Sequence, residues 1–212
     1  MLIIYDDDEQ SFRVEEEMRL LVRGGSIPAA YGVKKGYVDM LRDRRDLKGL
    51  EIINRSRFRE TSFDAIATYN EDVIPIRPQA ILLHFGVDDA FAGVYRSEFQ
   101  ENMVQFIRLA RAQFNPVFFL ATAQTFDDPQ EMEAVDIFYR SLRIVAKDLS
   151  CHLIGVHTYW AGYLTTHHLR SKNLTLPDAR YPNEKGHEVM AEVIGRWLSH
   201  FLTREIAHPP EA

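Results

Sequence analysis

The sequence predicts a doubly wound, three-layer α/β/α sandwich around a mainly parallel sheet, of the flavodoxin-like kind. Two observations carry this expectation. Apolar runs of strand length alternate with longer segments of helical spacing along the 212 residues, the signature of successive right-handed βαβ units. Ala80–Phe85 and Val117–Ala121 are nearly continuous apolar runs, as expected of strands covered by helices on both faces.

The elements follow in order. Leu2–Tyr5 and Leu20–Val22 read as strands. Between them lie the acidic turn Asp6-Asp7-Asp8-Glu9 and Phe12-Arg13-Val14, which would pair as a hairpin. Tyr37–Leu47 has helical spacing, with Tyr37, Met40 and Leu41 on one face. Leu50–Ile53 is a short strand, and Ser62–Ile74 reads as a helix running up to Pro75. Tyr95–Phe114 is a long helix stopped near Asn115-Pro116. Glu131–Leu149 is another, followed by the strand His152–Val156. Glu184–Thr203 closes the chain as a helix, with Asn183 placed to cap it. No repeat or linker divides the sequence, so residues 1–206 read as one domain, with 1–18 as an amino-terminal extension and 207–212 as a frayed tail.

Composition narrows the function classes. A chain that is 46% hydrophobic and 26% charged is globular rather than disordered. Its net charge of −6 provides no general attraction to nucleic acid or to an anionic membrane. One cysteine, Cys151, excludes an internal disulfide and suits a reducing compartment. The start of the chain lacks a basic region and a sufficiently long apolar run for a secretory signal. No stretch has the length of a membrane span. A cytoplasmic protein is expected. Walker and dinucleotide fingerprints are lacking, so no cofactor is expected. The oligomeric state is left open.

The segment Arg19-Leu20-Leu21-Val22-Arg23-Gly24-Gly25-Ser26 is a strand ending in a glycine turn with a serine at its mouth. In a parallel α/β sheet, ligands bind outside the carboxyl ends of the strands. Read alone, Ser26 would be a turn or cap residue. Three further stretches change the reading. They are Asn54-Arg55-Ser56-Arg57-Phe58-Arg59, Leu82-Leu83-His84-Phe85-Gly86-Val87-Asp88-Asp89 and Pro177-Asp178-Ala179-Arg180-Tyr181-Pro182-Asn183, the last followed by Gly186-His187.

Taken together, these stretches resemble, in order and spacing, the motif blocks of the SGNH (GDSL-type) hydrolases. The first block of that family usually reads Gly-Asp-Ser, so Gly25 stands in place of an aspartate. Arg59 replaces the glycine of the second block, Asp88 the asparagine of the third, and Tyr181 the histidine of the last. The resemblance implies an esterase or acyl hydrolase with Ser26 as nucleophile and Asp178 as the acid of a triad. It also implies an oxyanion pocket at Ser26, Arg59, Gly86 and position 88.

The substitutions bear on chemistry. A tyrosine, with a pKa of about 10, is a poor base at neutral pH. His187 is the candidate substitute base by proximity, with His84, His157, His167 and His168 as further options. An ionised Asp88 presents acceptors only and would repel an oxyanion. An Arg59–Asp88 ion pair would fill the hole, or Arg59 would hold an anionic ligand. Plainer roles are also open: Asp178 as a turn cap, Asp89 as a helix cap, and Tyr181 packed with its hydroxyl bonded. His167-His168 has too few companions for a metal site. The basic run Arg55-Ser56-Arg57-Phe58-Arg59 is too short to imply nucleic acid in an acidic protein. The acidic start resembles a receiver domain, but the strand Leu50–Ile53 ends in Asn54-Arg55, without a phosphoacceptor aspartate.

Two functional expectations follow. One is a hydrolase of small-molecule esters, weak or altered in activity, working through Ser26. The alternative is an inactive protein of the same fold that binds a small anionic or acyl ligand, or a protein partner, in the remodelled cleft.

Overall fold

Alternate residues of a strand point to opposite faces of its sheet, and the apolar side chains sort accordingly. In the computed structural model, which describes residues 18–207, Leu20, Val22, Leu82, Phe119 and Ala121 join one core. Leu21, Ile81, Leu83, Phe118 and Leu120 join the other. The strands are β1 (Met18–Gly24), β2 (Leu50–Asn54), β3 (Ala80–His84), β4 (Val117–Ala121) and β5 (His152–Ile154). They form one five-stranded sheet of order β2-β1-β3-β4-β5, and every pairing is parallel. The α/β sandwich expected from the sequence is the fold observed.

Helices α1 (Tyr37–Arg42), α2 (Ser62–Ala67), α3 (Tyr69–Asp72) and α4 (Val87–Ala92) are short. The longer ones are α5 (Arg96–Phe114), α6 (Pro129–Asp148), α7 (Val156–Thr166) and α8 (Glu184–Ala207). Residues of α1, α7 and α8 fill the first core, and α2 and α5 the second. Helix α6 contributes to both, through Val135 and Tyr139 on one side and Phe138 and Leu142 on the other. Among the described residues no helix is long and apolar enough to cross a membrane.

Several boundaries differ from expectation. The helix expected over Tyr37–Leu47 stops at Arg42, and a separate 3₁₀ turn covers Arg45–Leu47. Ser62–Ile74 divides at Thr68 rather than running to Pro75. The Thr68 hydroxyl donates to the Asp64 carbonyl at 2.9 Å, the local back-bonding by which threonine competes with helix continuation. The strand expected over His152–Val156 ends at Ile154, and α7, not anticipated, begins at Val156. Asn183 caps α8 as expected, its side chain accepting the Gly186 N–H at 3.0 Å. The expected strand Leu2–Tyr5, the hairpin after it and residues 208–212 lie outside the described residues.

This order matters for the site. Strand β1 lies between β2 and β3, with Gly24 opposite His84 in register. The loops leaving the carboxyl ends of β1, β2 and β3 therefore converge on one crevice, where open α/β sheets bind their ligands.

Candidate active site

The loop after β1 carries Ser26, and the first turn of α4, just after β3, carries Asp88. Gly86 has φ +118, a conformation that side-chain-bearing residues rarely adopt. Its N–H donates to Asp89 Oδ2 at 2.9 Å, and Asp89 Oδ1 accepts the Ser62 N–H at 2.8 Å. Asp89 is thus the cap of the loop, buried and with its carboxyl pushed up by desolvation. The turn leaves the neighbouring Asp88 against Ser26.

Ser26 Oγ donates to Asp88 Oδ1 at 2.7 Å, and the Ser26 N–H donates to Asp88 Oδ2, also at 2.7 Å. The Tyr181 hydroxyl donates to the same Oδ1 at 3.0 Å. From the loop after β2, the Arg59 N–H donates to Ser26 Oγ at 3.0 Å. Ser26 is 0% exposed, Asp88 8% and Tyr181 9%. Burial pushes the Tyr181 phenol up to about 12, so it remains a donor rather than a base.

Gly25 has a steric reason. A Cβ there would lie 2.1 Å from Asp88 Oδ2 and 2.6 Å from the Glu60 carbonyl oxygen. Where the SGNH pattern has a carboxylate on the loop after β1, this chain has bare backbone. The carboxylate arrives instead from the first turn of α4, after β3. Gly25 and Asp88 are a matched pair.

Arg59 also sits in the left-handed region, at φ +60, which costs a non-glycine residue about 1–3 kcal/mol. That conformation suits the glycine usual there, yet the arginine keeps the N–H aimed at Ser26 Oγ. The expected Arg59–Asp88 ion pair is not formed among the described residues. The Arg59 guanidinium lies over the Phe58 ring, 5.2 Å from its centroid, at the exposed rim of the site. Asp88 is satisfied by neutral donors instead.

Asp178 is exposed, and its Oδ1 accepts the backbone N–H groups of Arg180, at 3.0 Å, and Tyr181, at 3.4 Å. That is the turn-capping geometry. His187 does not bond Ser26: its Nδ1 accepts the Tyr37 N–H at 3.1 Å, and its Nε2 is buried with no hydrogen-bond partner. The cap at Asn183 sets residue 187 one turn into α8, on the face packed against α1. Burial pushes its imidazole down to about 4. His84 Nδ1 bonds the Tyr37 hydroxyl at 3.0 Å, and His157 Nδ1 bonds Thr122 Oγ1 at 2.8 Å. His167 packs against Tyr163. Among the described residues no group of histidine, cysteine and carboxylate side chains could hold a metal ion.

Sequence reasoning missed the cluster that braces the loop after β2. Arg23, fully buried on β1, donates to Glu60 Oε2 at 2.8 Å and Oε1 at 2.6 Å, and to Thr68 Oγ1 at 2.9 Å. Arg57 grips both Asp72 oxygens, at 2.6 and 2.8 Å, and donates to Glu60 Oε1 at 3.1 Å. The available signal was an arginine in the strand Leu20-Leu21-Val22-Arg23, since a buried guanidinium demands carboxylate partners. The aromatic rim was missed too. Tyr31 stacks on Phe58 at 4.3 Å and meets Tyr181 edge-on at 5.0 Å.

Comparison with known proteins agrees with this architecture. The structure superposes on an acetylxylan esterase from Geobacillus stearothermophilus, described as a catalytic mutant, with a TM-score of 0.75 at 18% identity. The match covers 88% of this chain and 96% of that one. Other variants of that enzyme, with a serine or an aspartate replaced by alanine, are likewise described as catalytic mutants. An α/β hydrolase from the metagenome of Lake Arreo, Spain, matches with a TM-score of 0.74 at 20% identity, covering 86% of this chain and 95% of that one. At such identities these matches speak for the fold. No curated protein sequence matches the chain significantly. The model of the GDSL-like lipase/acylhydrolase family matches residues 22–189, a span running from β1, just ahead of Ser26, into α8 beyond Tyr181. The chain belongs to the GDSL-like lipase/acylhydrolase family.

Proposed function

We propose that the protein hydrolyses small-molecule esters through Ser26, with turnover altered by the tyrosine at the position of the usual base. One observation carries this reading: Ser26 Oγ, at the crevice, lies 3.0 Å from a backbone donor and 2.7 Å from a carboxylate able to accept its proton. Serine hydrolases that lose one triad member retain roughly 10³–10⁴-fold catalysis over water, which sets the expected scale. The catalytic aspartate and histidine in the names of the Geobacillus variants are three positions apart, the spacing of Asp178 and Tyr181. That spacing supports the alignment of this loop. The free thiol of Cys151 supports a reducing, cytoplasmic setting.

A second reading has its own observation. The Ser26 N–H is taken by Asp88, and the Arg59 N–H by Ser26 itself. A protein that only binds would need nothing more, and the exposed Arg59 guanidinium at the rim could engage an anionic or acyl ligand. A fluorophosphonate probe separates the two. Stoichiometric labelling of the folded chain, abolished in Ser26→Ala, supports the hydrolase. Unlabelled folded protein at high probe concentration supports the binder and ends the hydrolase reading.

A further inference from the structure

A serine nucleophile needs a group to accept its proton, and the described histidines with known partners spend them elsewhere. His187, His84 and His157 bond Tyr37 or Thr122, and His167 packs on Tyr163. The group at the reacting oxygen is Asp88, 2.7 Å from Ser26 Oγ. Resting on the hydrolase reading above, we propose that Asp88 is the general base for Ser26, occupying a pocket that glycine at position 25 leaves open.

The geometry supports each part of this assignment. Ser26 Oγ accepts the Arg59 N–H and donates to Asp88 Oδ1, the nearest acceptor, with the Tyr181 hydroxyl also interacting with it. The second carboxylate oxygen is fixed by the Ser26 N–H at 2.7 Å. The Tyr181 hydroxyl holds Oδ1 from the other side at 3.0 Å. Asp88 is therefore oriented by three donors and cannot swing without losing them. The missing Cβ of Gly25 is what admits the carboxylate, since that atom would lie 2.1 Å from Oδ2.

The steps balance without any cofactor. The Ser26 proton moves to Asp88 Oδ1 as Oγ bonds to the acyl carbon, and the carbonyl π pair moves to the carbonyl oxygen. Charge passes from carboxylate to oxyanion, so the oxyanion forms beside a neutral acid rather than beside an anion. This removes the repulsion an ionised Asp88 would exert. The Arg59 N–H, no longer needed by Oγ, is free to face the oxyanion. Collapse breaks the ester C–O bond, and the leaving alkoxide takes the proton from Asp88. Water then repeats the sequence on the acyl-serine, giving its proton to Asp88, and Ser26 recovers that proton as it leaves. A carboxylate is intrinsically a weaker base than an imidazole, by roughly 2.5 pKa units. The enzyme should be slow and should keep working at acid pH. The ionisable groups that sense Asp88 are Tyr181 and the adjacent Asp89.

The test is hydrolysis of p-nitrophenyl acetate by the full chain, as wild type, Ser26→Ala, Asp88→Asn and Asp88→Glu, with melting curves to confirm folding. Asp88→Asn is expected to lower kcat by about 100-fold or more, the usual worth of a general base, with KM little changed. Asp88→Glu should recover part of the loss. With no imidazole at Ser26, the wild-type acid limb should lie well below the imidazole range of about 6.5. Turnover in Asp88→Asn equal to or above wild type overturns the proposal, because the carboxylate would then only block the Ser26 N–H. An acid limb in the imidazole range overturns it too. If Asp88→Asn does not fold, Asp88→Glu and the wild-type pH limb decide. Activity lost in Ser26→Ala but kept in Asp88→Asn leaves the hydrolase reading standing without this base; a wild type with no turnover removes both.

Discussion

Any side chain at Gly25 would collide with two neighbours at once, since its Cβ would lie 2.1 Å from Asp88 Oδ2 and 2.6 Å from the Glu60 carbonyl oxygen. The strand–turn–serine pattern marked Ser26 because its meaning is local, an apolar run ending in a tight glycine turn, although the fold buries that turn. The reason for Gly25 is not local, since it lies in the Asp88 carboxylate and the Glu60 carbonyl that approach from α4 and from the loop after β2. The same limit hid the partner of Asp88. Sequence paired it with Arg59 by charge, whereas the backbone at φ +60 turns the arginine side chain to the rim and leaves only its N–H inside. Gly25→Ala should therefore destabilise the protein by about 1–3 kcal/mol, the usual cost of overpacking, and abolish fluorophosphonate labelling. Gly49→Ala, where an added Cβ meets nothing within 4 Å, should stay within about 0.5 kcal/mol. Urea denaturation of the two variants checks the contrast. Equal stabilities would show that Asp88 yields easily and that the pair is not matched.

Among the elements, strand β1 joins two functions. Its residues Leu20, Leu21 and Val22 supply both cores, while Arg23 anchors the loop that presents the Arg59 N–H. Asp72, on α3, closes that anchor. Burial alone would raise its carboxyl, but the hydrogen bonds from Arg57 and Thr68 and the charges of Arg23 and Arg57 hold it below the usual range. Its stabilising contribution is complete above the unfolded value of about 3.9 and is lost as pH falls through the lower folded value. Removing one partner of a buried ion pair typically costs about 3–5 kcal/mol. Arg23→Ala should lower stability by that amount and slow Ser26 labelling, because Glu60 and Asp72 lose their buried partner. A melting temperature unchanged from wild type would contradict this role. The core strands and long helices were readable because their apolar periodicity is strong. Helix α7 was not, since Val156–Thr166 is mixed in character and takes its place from packing against α8 and from the bond between His157 N–H and Thr122 Oγ1. The break at Thr68 was invisible for a similar reason, as its hydroxyl serves Arg23 across the fold.

For the molecule as a whole, two buried imidazoles flank Tyr37 between the sheet and α8. Burial pushes His84 down to about 3, with the charge of His187 adding to the effect, and His187 down to about 4. Both are neutral in the fold, while the unfolded chain takes up protons below about 6.5. The unfolded state thus binds more protons between about 6.5 and about 4, and stability falls as pH falls through that window. At about 1.4 kcal/mol per unit, acidification from ~6.5 to ~5 should remove about 2 kcal/mol for each histidine. Urea midpoints at pH 7.5 and pH ~5 measure this, and His187→Gln should flatten the dependence; a midpoint independent of pH would refute it. The α/β architecture, the order of the motif loops and the family were legible in the chain, because alternation of apolar runs dictates βαβ units and those units deliver the loops to one crevice. Which groups meet there was decided by the folded state alone. Ser26, Arg59 and Tyr181 come from three separate loops and Asp88 from the first turn of α4, and hydrogen bonds of about 3 Å depend on backbone angles and packing that no spacing along the chain encodes.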